Sequence, residues 1–188
     1  MSTPARLLTV SVDEYLSSEE ASEVKHEYVN GQVYAMVGAS QAHSIICVNI
    51  VSFLRATLRG GACRVFASDL KVKVEQSNSF YYPDVLVDCG QLALKSSFAS
   101  QPVFVAEVLS PSTMDIDKRE KLAAYRTVNS LKEYLIVYQD EKKLEYYAKD
   151  PLGNWTLSII EGLDENIILT SFSKEVILPL RTVYEDLP

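Results

Sequence analysis

Histidine and cysteine, the side chains that build most protein zinc sites, are scarce in this chain, which has two histidines and three cysteines. The cysteines, Cys47, Cys63 and Cys89, are odd in number and far apart, and none belongs to a CxxC motif. Zinc sites of the Cys/His type need closely spaced ligands, and a disulfide framework needs paired cysteines. We therefore expect neither a zinc site nor a disulfide framework.

Long apolar runs are also missing. Leu7, Leu8 and Val10 form too short a stretch for a secretory signal, and Asp13 and Glu14 follow them at once. Nowhere does the sequence approach the roughly 20 apolar residues that a membrane-spanning helix requires. We expect a protein without a membrane segment that resides in the reducing cytoplasm.

Several enzyme signatures are absent from the sequence. It contains no GxxxxGK[ST], GxGxxG or HExxH motif, and Ser110 and Ser112 lack the GxSxG context of a serine hydrolase. Glycosidases use two carboxylates beside a sugar, but the single tryptophan, Trp155, and the lack of clustered aromatics near the acids described below argue against that class.

Positive charge is in deficit, since 18 Lys and Arg residues face 25 Asp and Glu residues, for a net charge of −7. This balance argues against bulk electrostatic binding to nucleic acid or to an anionic membrane, although it leaves a local basic groove open. The length of 188 residues and the 47% apolar content suit one globular domain with a full core.

The hydrophobic pattern predicts helices and strands in alternation. Ser11 and Glu14 form a capping-box pattern that predicts a short helix, and Asn30-Gly31 between two β-prone runs predicts a hairpin. A helical period precedes Gly60-Gly61. The order indicates one mixed-sheet α/β or α+β domain. Strands are predicted in CRVFASDLKVKVEQ, FYYPDVLVDCG, QPVFVAEVLSPST, KEYLIVYQDEKKLEYYAKD (two strands), NWTLSIIEG and ENIILTSF, and helices in MDIDKREKLAAYRTVNS and LPLRTVYEDLP.

Two carboxylates stand at consecutive predicted strands. Asp84 follows Pro83 where one strand begins, and Glu107 lies inside the apolar run VFVAEVL of the next. Consecutive strands are usually neighbours, so both acids can reach one region, where a hard cation such as Mg²⁺ would remove their repulsion. The alternatives are a strand-entry turn residue for Asp84 and a solvated or structurally paired residue for Glu107.

Two lysines fall on the apolar stripe of the helix after SPST. Leu122, Ala124 and Tyr125 belong to that stripe, and Lys118 and Lys121 lie within it. An inward ammonium group favours a carboxylate or a phosphate, and Lys121 is placed to orient an attacking water or to offset phosphate charge. The alternative for each lysine is a stem that lies along the core edge with its charge in solvent.

Glu27 and His43 are further candidates. Glu27 stands just before the predicted hairpin and could complete a metal shell, or be an ordinary exposed strand residue. His43 lies at a helix start, where the helix dipole favours a neutral imidazole that can hydrogen-bond substrate; its alternative is a structural histidine.

Four segments of the sequence follow one another at a characteristic spacing, namely YYPDVLVDCG, VFVAEVLSPST, DIDKREKLAAY and EYLIVY. Their order and spacing resemble the Uma-type restriction-endonuclease-like family of bacterial proteins, formerly a domain of unknown function, and EYVNGQVYAM and the histidine of QAHSIICVNI fit the same pattern. The resemblance covers about residues 10–185. It places the chain in the PD-(D/E)XK nuclease superfamily, which implies a restriction-endonuclease-like central mixed β-sheet flanked by helices, a Mg²⁺-type site and phosphodiester hydrolysis.

Carried over by position, the resemblance makes Asp84 the aspartate of the PD motif and Glu107 its second acid, with the Val108 carbonyl as a further metal ligand. The superfamily lysine would stand two residues after Glu107, where this chain has Leu109. The family pattern supplies a lysine from the following helix, here Lys121, and an acid from the N-terminal region, here Glu27.

Three functional hypotheses follow. The first is an endonuclease dependent on Mg²⁺ or Mn²⁺ that cleaves nucleic acid, expected to be DNA. The second is a non-catalytic homodimeric module that binds DNA or another partner, which the acidic charge favours. The third is an enzyme on a small phosphorylated or sugar substrate. Late tyrosines are candidates for a dimer interface, although sheets also bury tyrosines: Tyr134, Tyr138, Tyr146 and Tyr147.

Overall fold

A six-stranded mixed sheet forms the centre of the protein in a computed structural model that describes residues 9–110 and 116–188. Its strand order is β10-β9-β8-β7-β6-β3, in which β7 and β8 run parallel and the other neighbouring pairs antiparallel. This arrangement, with helices packed against it, confirms the predicted mixed fold. The six strands are β3 (Arg64–Ala67), β6 (Val85–Asp88), β7 (Pro102–Leu109), β8 (Glu133–Tyr138), β9 (Lys143–Lys149) and β10 (Trp155–Glu161).

Two smaller sheets and short helices surround the central sheet. One has the order β2-β1-β5-β4 and is antiparallel throughout, and the other is an antiparallel pair. Their strands are β1 (His26–Val29), β2 (Gln32–Ala35), β4 (Val72–Val74), β5 (Ser79–Tyr81), β11 (Asn166–Leu169) and β12 (Val176–Pro179). The helices are α1 (Val12–Glu20), α2 (Gln41–Thr57), a 3₁₀ turn (Glu75–Ser77), a π-helical segment (Ile116–Lys121), α3 (Leu122–Tyr125) and α4 (Leu180–Val183).

Local signals in the sequence set several of these elements. The predicted capping box is confirmed, because the Glu14 carboxylate accepts from the Ser11 N–H at 2.9 Å while the Ser11 hydroxyl accepts from the Glu14 N–H. The predicted hairpin is also confirmed: Asn30 and Gly31 both adopt positive φ (45° and 91°) between β1 and β2. These two features fix the N-terminal part of the fold.

The helix predicted from residue 114 to 130 is shorter in the structure. It is described from Ile116 and ends at Tyr125, and turns follow. Its predicted start at Met114 and Asp115 lies outside the described residues, as does the short apolar pair Leu7-Leu8.

One segment that was predicted as a single strand is divided between two sheets. CRVFASDLKVKVEQ forms β3 in the central sheet and β4 in the four-stranded sheet, separated by a turn at Ser68-Asp69. In FYYPDVLVDCG the predicted strand after Pro83 is β6, while the residues before the proline belong to β5 in the smaller sheet. Alternation of apolar residues does not reveal which partner each half meets. As a result, Pro83-Asp84 lies where the chain crosses from the smaller sheet to the central one.

Both faces of the central sheet are covered. On one face, Ile46 and Ile50 of α2 pack against alternate residues of β6 and β7, and on the other face Tyr125 packs against the remaining alternate residues. All eight residues of β7 are buried as a result. A strand covered on both faces reads as a continuous apolar run, which explains VFVA and leaves Glu107 as its exception.

The structure corrects the expectation that the cysteines are unpaired. Cys63 and Cys89 form a disulfide with Cα atoms 4.0 Å apart. Although 26 residues separate them, Arg64 pairs with Asp88 across β3 and β6, so this register brings the two flanking cysteines opposite each other. Cys47 is a free thiol.

The late tyrosines that were candidates for a dimer interface make contacts within the chain. Tyr134 is fully buried, and the hydroxyls of Tyr138 and Tyr147 donate to Glu145. Tyr146 donates to Glu133.

None of the helices within residues 9–110 and 116–188 has the length and apolarity that crossing a bilayer requires.

Glu133 is a buried carboxylate that joins the β11–β12 hairpin to the central sheet. It is 1% exposed and accepts from Tyr146 of β9, from the Thr170 N–H at 2.6 Å and from the Ser171 hydroxyl. Removing this carboxylate leaves buried donors without an acceptor. We therefore expect Glu133→Ala to lower the free energy of unfolding by about 3 kcal/mol. Urea denaturation measures this change, with the exposed Glu175→Ala as the control; equal stability of the two variants would contradict it.

Candidate active site

Asp84 and Glu107 lie at the same end of the β6–β7 pair. Val85, which follows Asp84, pairs with Ala106, which precedes Glu107. The Val108 N–H donates to the Asp84 carboxylate at 2.8 Å and fixes its orientation. The predicted pairing of the two strands is thus confirmed, and it brings the two acids to one place.

Glu107 is almost fully buried, with 2% of its surface exposed. Its carboxylate accepts from the Tyr125 hydroxyl at 3.2 Å and lies 3.5 Å from the Lys121 ammonium. Burial, together with the negative charge of Glu107, raises the pKa of Tyr125 well above its ordinary value. Tyr125 therefore stays protonated and acts as a permanent donor to Glu107.

Lys121 joins two carboxylates from different elements. Its Nζ is 2.9 Å from Glu27 of β1 and 3.5 Å from Glu107 of β7. Glu27 is held in turn by the Tyr82 N–H at 3.1 Å. Lys121 is only 6% exposed, so the predicted inward orientation of this side chain is confirmed. The Lys121 ammonium is therefore next to the Glu107 carboxylate. Leu109, two residues after Glu107 on the strand, carries no charge that could pair with it.

Lys118 points to a different part of the surface. Its ammonium donates to Glu145 at 2.8 Å and to the Tyr138 hydroxyl. Burial alone would lower the pKa of Lys118, but these hydrogen bonds and the charge of Glu145 outweigh burial and raise it. Lys118, a candidate substrate contact, is therefore engaged with Glu145, and the structure does not bring it to the carboxylate pair.

His43 reaches the site from α2. Its Nε2 lies 3.1 Å from the Asp84 carboxylate, and both side chains are mostly buried, with 13% and 14% exposed. Ser40 caps the helix by accepting from the His43 N–H, which fixes the first turn. The sequence prediction that His43 belongs to the functional region is consistent with this geometry.

Cys47 is a neighbour of the site that the sequence analysis missed. Its sulfur lies 3.5 Å from Nδ1 of His43, one helical turn earlier. Burial raises the pKa of the Cys47 thiol, and the charges of Asp84 and Glu107 raise it further. The signal that could have found it is the i, i+4 spacing of His43 and Cys47, which puts both on one face of a helix.

The donor set at this end of the sheet suits a divalent cation. Glu27, Asp84 and Glu107 supply three carboxylates, and Lys121 supplies one positive charge. In an extended strand the N–H and C=O of one residue point to the same side, so the Val108 carbonyl faces the side of Asp84. Oxygen ligands of this kind fit Mg²⁺ or Mn²⁺.

Known proteins resemble this chain along most of its length. The family model described as "Uma2: Putative restriction endonuclease" matches residues 12–181. Two proteins of Synechocystis sp., both named as uncharacterized, are similar to it: slr1290 is 37% identical and aligns with 89% of this chain and 90% of its own length. The second, sll1609, is 32% identical and aligns with 86% of this chain and 92% of its own length.

A solved structure shares the fold. It is the crystal structure of "a putative nuclease belonging to DUF820" from Anabaena variabilis, with a TM-score of 0.74. The alignment covers 93% of this chain and 97% of that one at 19% sequence identity. At this level of identity the likeness shows a common fold.

Proposed function

The chain belongs to the Uma2 family, and we propose that it is a divalent-metal-dependent endonuclease that hydrolyses phosphodiester bonds, with DNA as its substrate. The observation that carries the proposal is the position of Lys121, whose ammonium stands 3.5 Å from Glu107 and 2.9 Å from Glu27. A buried acid pair with an adjacent lysine is the set of groups that phosphodiester hydrolysis requires: ligands for a cation and a donor beside the reacting phosphate.

Asp84, Glu107 and the Val108 carbonyl would hold the metal ion. When bound, such an ion supplies Lewis acidity and lowers the pKa of a coordinated water. Lys121 would orient the attacking water or offset the charge that develops on the phosphate. Glu27 would position Lys121, while the Val108 N–H keeps Asp84 turned towards the site.

Leu109 occupies the strand position of the superfamily lysine. It is 2% exposed and belongs to the hydrophobic core on the Tyr125 side of the sheet. A lysine there would replace core packing with a second buried charge. The contact between Lys121 and Glu107 supports the proposal that the helix supplies the ammonium in its place.

A second function, a non-catalytic DNA-binding or interaction module, is favoured by the net charge of −7, because an enzyme of this charge must still attract a polyanion. We also propose that two copies associate and that the protein is cytoplasmic. Multi-angle light scattering of the purified chain gives its mass in solution directly.

Cleavage assays separate the two functions. Wild-type protein would be incubated with supercoiled plasmid, single-stranded DNA, double-stranded DNA and RNA, with Mg²⁺, Mn²⁺ or EDTA. We expect cleavage that requires the metal and is lost in Asp84→Asn/Glu107→Gln but retained in the exposed control Asp140→Asn. Cleavage that survives in the double variant would contradict the proposed site, and a folded wild type that binds DNA but neither cleaves it nor binds metal would favour the module.

A further inference from the structure

We propose that His43 is a nitrogen ligand of the same metal centre, so that the site selects a first-row transition ion such as Mn²⁺ or Co²⁺ over Mg²⁺. This inference rests on the proposed function, because it assigns Asp84 to the metal. It goes further in naming the class of ion, which carboxylate and carbonyl oxygens alone leave open between Mg²⁺ and Mn²⁺.

The spacing of the two side chains suits a shared ion. His43 Nε2 and the Asp84 Oδ2 atom are 3.1 Å apart. Two ligands bound to one ion at about 2.0–2.2 Å, with tetrahedral to octahedral angles, lie roughly 3.0–3.4 Å from each other. An ion can therefore be bound by both atoms with little movement of either side chain.

A well-packed helix carries His43. Ser40 caps its first turn, and Ile46 and Ile50 of the same helix are fully buried against the central sheet. The ring is thus carried by a rigid element, as a ligand position requires.

Cys47 completes the arrangement by facing the other ring nitrogen. Its sulfur is 3.5 Å from Nδ1, and one ligand atom from each of His43, Cys47 and Asp84 lies within 4.8 Å of the others. With an ion held at Nε2, the ring hydrogen would be on Nδ1, where it could be donated to the Cys47 sulfur. A metal-bound histidine commonly donates its second ring N–H to a neighbouring acceptor, which fixes the tautomer and the ring orientation.

Imidazole changes the preference of an oxygen site in a known direction. Mg²⁺ prefers oxygen ligands and water, whereas the affinity of nitrogen ligands rises from Mn²⁺ through Co²⁺. If His43 is a ligand, its removal must weaken binding of the transition ions more than binding of Mg²⁺. A purely structural histidine would alter all ions alike.

Calorimetric titration of tag-free protein with Mg²⁺, Mn²⁺ and Co²⁺ tests this. We expect His43→Ala and His43→Gln to weaken Co²⁺ and Mn²⁺ binding at least tenfold and Mg²⁺ binding less than threefold, with a parallel loss of intensity in the visible absorption of bound Co²⁺. The control is His26→Ala, which removes the chain's other histidine, a partner of Glu19, and is expected to leave all three affinities unchanged. Circular dichroism verifies that each variant is folded.

The possible outcomes distinguish a failure of this inference from a failure of the proposed function on which it rests. Ion binding that is lost in Asp84→Asn but unchanged in both His43 variants would overturn the role of His43 alone, as would equal losses for Mg²⁺ and Co²⁺. A wild type that binds none of the three ions, or binds them independently of Asp84, would overturn the metal-dependent function and this inference together.

Discussion

Replacing Lys121 with methionine is expected to lower the free energy of unfolding by about 3 kcal/mol and to reduce cleavage at least about a hundredfold. Methionine keeps the length and the apolar stem of lysine but removes the ammonium group. Glu107, 3% exposed at its side chain, and Glu27, 14% exposed, then lose the positive charge that lies between them. Breaking a buried ion pair on one side leaves an uncompensated charge, which is the costly case.

A second substitution separates charge from packing in this variant. Adding Glu27→Gln to Lys121→Met neutralises one of the two carboxylates that Lys121 contacts. We expect this to restore part of the lost free energy of unfolding but not the cleavage activity. Urea denaturation of the two single variants and the double variant measures the coupling energy. The exposed Lys174→Met serves as the control, and a loss of less than about 0.5 kcal/mol in Lys121→Met would contradict a buried charge at this position.

Asp84→Asn is expected to reduce metal-dependent cleavage at least about 10³-fold. The free energy of unfolding is expected to stay equal to that of the wild type or to rise slightly. A thousandfold loss corresponds to about 4 kcal/mol of transition-state stabilisation, which is the scale of a bound cation's effect. The amide oxygen can still accept from the Val108 N–H, so the local structure is retained. Removing one of several clustered negative charges also relieves repulsion.

Thermal unfolding with and without metal shows the difference directly. An ion that binds only the folded protein raises its melting temperature. We expect this rise in the wild type and its absence in Asp84→Asn. The control Asp140→Asn, which changes an exposed carboxylate, should keep it. An Asp84→Asn variant that retains both the metal-dependent shift and full cleavage would contradict the proposed role of Asp84 as a metal ligand.

Local chemistry predicts much of this fold. The capping box at Ser11, the Asn30-Gly31 turn and the apolar period of α2 depend on neighbours within a few residues, so the sequence alone reveals them. The division of β3 from β4, and the pairing of Cys63 with Cys89, depend on contacts between distant segments. No local pattern encodes that partner choice.

The same distinction applies to the site. Asp84 and Glu107 could be predicted to lie near each other because consecutive strands commonly pair, and in the structure both lie at the same end of the β6–β7 pair. The helical period placed both Lys118 and Lys121 on one inward stripe, yet only Lys121 reaches Glu107, because Glu145 on a later strand engages Lys118. Cys47 was missed because a single cysteine in a sequence does not indicate a functional site. Its position near His43 and Asp84 depends on the fold.

Asp84 has a consequence for how such a site can be lost. β6 begins at Val85, and the Val108 N–H of the neighbouring strand donates to the Asp84 carboxylate. Asparagine at this position keeps an oxygen that accepts this hydrogen bond but carries no negative charge. Inactivation in evolution would then leave the fold unchanged, so a relative with asparagine here is expected to fold normally and to lack cleavage.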